Sequence, residues 1–250
     1  NYAVGYNNVD VAGATASGIP VGNTPGVLTE TTAEMAAALT LSAGRRVVEA
    51  DRFMRAGNYH GWLPTMYMGQ RFYGKTVGII GCGRIGAAYG RMMVEGFKMN
   101  LVYFDLYPTE NLEAFVKDYS ELLVAHGEHG VSATRHDSIE DVMRAADVVS
   151  IHPVLDETTH HLVNADTIEA MRDGVFLVNC ARGGLVDQEA LLAALDSGKV
   201  AGAGLDVTEP EPLPVGHPLL GRDDVVVTPH IASSTQAGRL RLFAHAFDHA

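Results

Sequence analysis

The string Gly81-Cys82-Gly83-Arg84-Ile85-Gly86 constrains the fold more than any other feature of this chain. It stands between an apolar run at 76–80 and a helix-like stretch that opens near Arg84. Alone, G-x-G-x-x-G is only a tight turn. Between a strand and a helix it predicts a βαβ unit: Gly81 makes the turn, Gly83 lets a pyrophosphate approach the backbone, and Gly86 lets the helix pack closely on the strand. The helix N-terminus, with Arg84 and Ile85 as its first residues, offers unpaired N–H donors and partial positive charge to an anion. Asp105 follows 24 positions after Gly81, at the end of the next apolar run, where a carboxylate can accept hydrogen bonds from both adenosine ribose hydroxyls. The expected cofactor is therefore NAD, with NADH preferred over NADPH. A 2′-phosphate would meet like charge there, and no Arg or Lys follows immediately to neutralise it.

Further short apolar runs at 101–104, 148–152, 175–178, 201–205 and 225–228 alternate with helical stretches. Such a succession predicts an α/β fold, a doubly wound parallel sheet of Rossmann type with strands buried on both faces. Several helix ends are readable. Ser138 with Asp141, and Asp187 before 188–197, are N-terminal caps; Gly174 and Gly198 stand where a left-handed C-terminal residue is wanted. One long Ala-rich helix is expected from about Thr32 to Arg55, opened by Thr31 and Glu34 in capping-box spacing. The segment 108–137 breaks the rhythm and reads as a surface insertion. Its histidines, His126 and His129 among them, lack the carboxylate spacing of a ligand set, and no metal site is expected.

Composition excludes several classes. With 30 acidic against 18 basic residues the formal charge is −12, which repels a phosphate backbone, so nucleic acid is not an expected partner. No apolar run approaches the roughly 18 to 20 residues that span a bilayer, so no membrane association is expected. Cys82 and Cys180, the only cysteines, form no C-x-x-C pair and fit a reduced compartment.

Three charged or titratable residues follow later apolar runs, on the side where an open α/β sheet binds ligands. Arg182, after 176–181 and before Gly183-Gly184, can grip a carboxylate with two hydrogen bonds. His230, after 225–229, is the acid of choice near neutral pH. Glu211, in a proline-rich turn, can hold the imidazole and favour its protonated form. Singly, each has a plainer reading: a surface ion pair, a loop charge, a satisfied buried histidine. Jointly they read as a catalytic set.

Residues 78–86, 178–183, 204–207 (Gly-Leu-Asp-Val) and 228–233 (Thr-Pro-His-Ile-Ala-Ser) resemble, in order, the markers of the D-2-hydroxyacid dehydrogenase family. Within it, residues 3–10, 21–26 and 94–100 are similar to the plant-type hydroxypyruvate reductases. The resemblance implies reduction of a small 2-oxo acid: Arg182 holds the substrate, His230 protonates the developing alkoxide, and Glu211 supports His230. It further implies that backbone at Val4 and Gly5 completes the carboxylate site and that Trp62 reaches a neighbouring subunit's pocket. Thr32, Pro153, Thr158, Cys180, Ala181, Asp206, Ala232 and Ser233 would line the dinucleotide. A homodimer through the helix at about 32–55 is expected. So is a division into residues 1–28 (part of a substrate domain), 29–234 (dinucleotide-binding domain) and 235–250 (return segment), the two outer pieces being fragments of a flavodoxin-like domain. Peroxisomal location is implied, with mitochondrial or cytoplasmic as alternatives. Glyoxylate is an expected second substrate. Phosphoglycerate dehydrogenase activity, and an NAD-sensing corepressor-like protein without turnover, are the competing readings.

Overall fold

The computed structural model describes Asn1 and residues 3–248; Tyr2 and residues 249–250, the last two of the expected return segment, lie outside the described residues. Strand β1 (Thr76–Ile80), helix α4 (Arg84–Phe97) and strand β2 (Asn100–Phe104) form the unit expected around the glycine string. The two strands pair in parallel, Thr76 beside Asn100 through Ile80 beside Phe104. Helix α5 (Glu110–Ala125) and strand β3 (Ala133–Arg135) extend the sheet beyond β2. The chain then returns through α6 (Ile139–Ala145) to lay β4 (Val148–Ile151) against the other side of β1. Growth continues outward with α7 (Ala165–Glu169), β5 (Val175–Asn179), α8 (Gln188–Ser197), β6 (Val200–Leu205) and β7 (Val225–Val227). All pairings are parallel, in the order β3-β2-β1-β4-β5-β6-β7. Connections leave β1 and β4 in opposite directions, which opens a crevice at their carboxyl ends.

Every residue of β4 and β5 is buried, as strands covered by helices on both faces must be. One face packs under α4, α5 and α2 (Thr29–Gly44), around Leu39, Tyr89, Met93 and Val116. The other packs under α6 and α8, around Val142, Met143, Leu191 and Leu195. The fully buried Tyr89 shares a 2.8 Å hydrogen bond with Thr40, tying α4 to α2. Leaving that hydroxyl unpaired would cost about 1–3 kcal/mol.

Two expectations need correction. The segment 108–137 is not an insertion: Leu112, Val116 and Leu123 of α5 are buried in the core, and β3 is the edge strand of the sheet. The long helix at 32–55 is two helices, α2 and α3 (Val47–Arg55), because Arg46 adopts a left-handed conformation at φ 55°. Helix α2 starts at Thr29, with Leu28 as its N-cap and no side-chain cap, so Thr31 and Glu34 form no capping box. Its Ala-rich face, Ala33, Ala36 and Ala43, is already buried within the chain; α3 buries none of its residues. Ser138 and Asp187 cap α6 and α8 as expected. Gly198 closes α8 at φ 76°, whereas Gly174 has the same φ but serves the turn before β5.

Helix α1 (Val11–Ala16), capped by Asp10, lies in the segment before α2, and α9 (Gln236–Asp248) follows β7.

Candidate active site

At the carboxyl end of β1, Gly81 has φ +82°, and a Cβ there would stand 2.6 Å from the Pro153 nitrogen beyond β4. At Gly86 a Cβ would meet the Gly81 carbonyl oxygen at 2.3 Å, so the helix seats directly on the turn. Gly83 differs: nothing lies within 4 Å of where its Cβ would be. It is also the N-cap of α4 and supplies no capping side chain. The loop therefore presents open backbone and the positive end of a helix to the crevice. A cavity of about 980 Å³ begins there, lined by Gly83, Arg84, Asp105, Tyr107 and Pro108 among others. One Asp105 oxygen accepts from the Tyr107 N–H at 3.2 Å, and Thr109 fastens the facing loop to the Cys82 carbonyl at 2.8 Å. Taken together, open backbone, helix terminus and the Asp105 carboxylate at the cavity wall fit a dinucleotide. Arg135 is an addition: β3 brings its guanidinium to the Asp105 carbonyl at 2.9 Å, a basic group beside Asp105 that linear order hides. Both thiols are buried, and burial disfavours their thiolate forms, pushing Cys82 up to about 12 and Cys180 higher still.

The loops after β5, β6 and β7 bring Arg182, Glu211 and His230 together. His230 Nδ1 and Glu211 Oε1 lie 2.6 Å apart, leaving Nε2 as the free ring nitrogen. Arg182 is half-buried, and burial pushes its pKa down while Glu211 pulls it back up. It donates to Asn7 Oδ1 at 3.0 Å and to the Ala181 carbonyl at 2.7 Å. Gly5 is pressed against it: a Cβ on Gly5 would fall 2.1 Å from Nη2.

Two buried polar residues that sequence reasoning did not assign to this task hold the set in place. Asn179, at the end of β5, donates to the Arg182 carbonyl at 2.8 Å and accepts from the Ala181 N–H at 3.0 Å. Asp206, just after β6 and 1% exposed, accepts from the Thr228 hydroxyl (2.6 Å) and the N–H groups of Ile231 (2.8 Å) and Ala232 (2.7 Å). His230 itself sits at φ 53°, and its N–H donates to the Asp206 carbonyl at 2.9 Å. Expected as a dinucleotide contact, the Asp206 carboxylate here builds the loop that carries His230. A polar residue at a strand end is the only linear signal for either task.

The other expected residues scatter more. Cys180, Ala181, Ala232 and Ser233 flank Arg182 and His230 in the same loops, and Val4 accepts from Asn23 beside Gly5. Thr158 forms a turn with Asp156 through its N–H at 2.8 Å. Thr32 is buried in the first turn of α2. Trp62 is 77% exposed on the segment after α3.

This parallel sheet and glycine loop define a dinucleotide-binding α/β architecture, with a His–Glu–Arg set gathered at its carboxyl end. The chain belongs to the D-isomer specific 2-hydroxyacid dehydrogenases, whose NAD binding domain matches residues 37–232. It is 55% identical to the glycerate dehydrogenase of Cucumis sativus over 94% of its own length and 62% of that relative's. Identity is again 55% with the peroxisomal glycerate dehydrogenase of Arabidopsis thaliana, over 94% of this chain and 61% of the relative. The solved NADPH-dependent glyoxylate/hydroxypyruvate reductase of Sinorhizobium meliloti, with NADP and malonate, superposes with a TM-score of 0.81 at 36% identity, covering 97% of this chain and 69% of that one. The chain thus spans less than two thirds of the length of the two glycerate dehydrogenases. Among the described residues no helix is long and apolar enough to cross a membrane.

Proposed function

We propose that this chain is the coenzyme-binding body of an NADH-dependent reductase that converts hydroxypyruvate to D-glycerate and accepts glyoxylate as a second substrate. The observation that carries this reading is the 2.6 Å His230–Glu211 pair beside the half-buried Arg182. Arg182 grips the substrate carboxylate and carbonyl oxygen, with the backbone at Val4 and Gly5 as the opposite wall. Reduced nicotinamide, when bound along the glycine loop, supplies the hydride. His230 delivers the proton from Nε2 to the carbonyl oxygen, so one hydride and one proton turn the 2-oxo acid into a 2-hydroxy acid. Glu211 holds the imidazole by Nδ1 and offsets the positive charge it carries before transfer. Asp105 favours NADH by repelling a 2′-phosphate, and Arg135 tempers that preference. Residues 1–28 and 235–250 belong to a second, substrate-side domain whose remainder the longer relatives carry. Pairing with a second copy would use α3 and the Trp62 segment, since the small-residue face of α2 is spent. By likeness to the Arabidopsis enzyme, peroxisomal location is proposed.

The test follows NADH oxidation by the full-length protein with hydroxypyruvate, with glyoxylate, and with NADPH in place of NADH. Turnover that ranks hydroxypyruvate above glyoxylate and NADH above NADPH supports the proposal. Binding of NADH with no 2-oxo acid reduced would replace it with the nucleotide-sensing reading.

A further inference from the structure

Outside the catalytic set, His160, His161 and Glu209 converge in a way the reaction does not use. Adjacent residues on an extended chain point to opposite sides. Here His161 is left-handed, at φ 50°, and the two imidazoles stack with centroids 3.9 Å apart and planes 22° from parallel. The Glu209 Oε2 atom, 48 positions from His161, lies 3.2 Å from its Nε2 and 3.6 Å from Nε2 of His160. A tetrahedral ion with bonds of about 2.0–2.1 Å places its ligands about 3.4 Å apart, so both Nε2–Oε2 distances are close to an edge of that tetrahedron, and the stacked rings complete it when one imidazole turns to aim its in-plane Nε2 lone pair at the ion.

We propose that His160, His161 and Glu209 bind one divalent transition-metal ion. Two imidazoles and a carboxylate suit Zn²⁺, Co²⁺ or Ni²⁺ rather than the hard, all-oxygen ions. The ligands are held from outside: the His161 N–H donates to the Gly184 carbonyl at 2.8 Å, and Gln188 donates to the Glu209 carbonyl. Gly184 leaves room for the carboxylate, since a Cβ there would come 3.1 Å from Glu209 Oε1. The exposed His160 gives the ion a path in and leaves a fourth position to water. Bound there, the ion joins the loop after β4 to the loop after β6, two positions from Glu211. The sequence gives no sign of the site, because a pair of neighbouring histidines acquires its third ligand only in the fold.

Titrating the 250-residue chain with Co²⁺, and displacing it with Zn²⁺, reads the site directly and needs no turnover, so its outcome is separate from that of the reductase reading. The expected result is one ion per chain with the visible absorption of four-coordinate Co²⁺. His160→Ala and Glu209→Gln should each weaken binding about tenfold or more. A variant carrying both His126→Ala and His129→Ala should bind as the parent does. No saturable binding by the parent, equal binding by His160→Ala, or loss of binding in the His126/His129 variant would each overturn the proposal.

Discussion

Strand β4 leads directly into His152, and β7 leads through Thr228 and Pro229 to His230, yet the two histidines occupy opposite environments. The His152 ring lies against Tyr89, with centroids 5.6 Å apart, and shares a 2.8 Å hydrogen bond with Ser150. Burial pushes its pKa down from 6.5 to about 4. His230 stands in the open, its side chain 46% exposed and that of Glu211 42%. The first is a neutral packing element with a neutral partner; the second has a carboxylate at one nitrogen and solvent at the other. Position after a strand does not separate them. What separates them is a charged partner delivered by another loop.

The largest effect should come from the exposed member. His230→Ala is expected to lower turnover about 10²- to 10⁴-fold while leaving NADH affinity and thermal stability close to the parent's; an equal loss from His152→Ala at unchanged stability would erase the contrast. Next in size is the acid response of His152, the more enclosed member. Because its folded pKa lies below its unfolded value, the unfolded chain binds more protons between pH 6.5 and 4. The contribution of His152 is therefore complete above pH 6.5 and is lost as pH falls toward 4, by up to about 3 kcal/mol. Thermal melts across that range should show it, and His152→Gln should flatten the curve. The smallest effect belongs to Gly5→Ala. The added Cβ meets the far end of the Arg182 side chain rather than backbone, so the guanidinium should yield at the cost of its hold on Asn7. We expect kcat/KM to drop roughly ten- to a hundredfold with no change in melting temperature; a large stability loss would mean Gly5 is needed by the fold instead.

The dinucleotide half was legible because it is written contiguously: strand, glycines, helix and Asp105 occupy one βαβ unit. Arg182, Glu211 and His230 were legible as strand exits, though their distances were not. Strand β3 escaped because it is three residues long, lies at an edge and carries no apolar alternation in Ala133-Thr134-Arg135. The break between α2 and α3 escaped because Arg46 turns the chain left-handed without a glycine or proline to announce it. The part Asp206 plays in building the His230 loop was not legible because its three donors come from residues 228, 231 and 232, which only the pairing of β6 with β7 brings within reach.

That buried carboxylate also bears on where disorder is removed. Three donors and the His230 N–H converge on one residue at the end of β6, the strand next to the sheet edge, so the segment 228–232 is ordered when β7 joins the sheet. The entropy of fixing the segment, about 1–2 kcal/mol per residue, is lost once, during folding, and not again at each encounter with substrate.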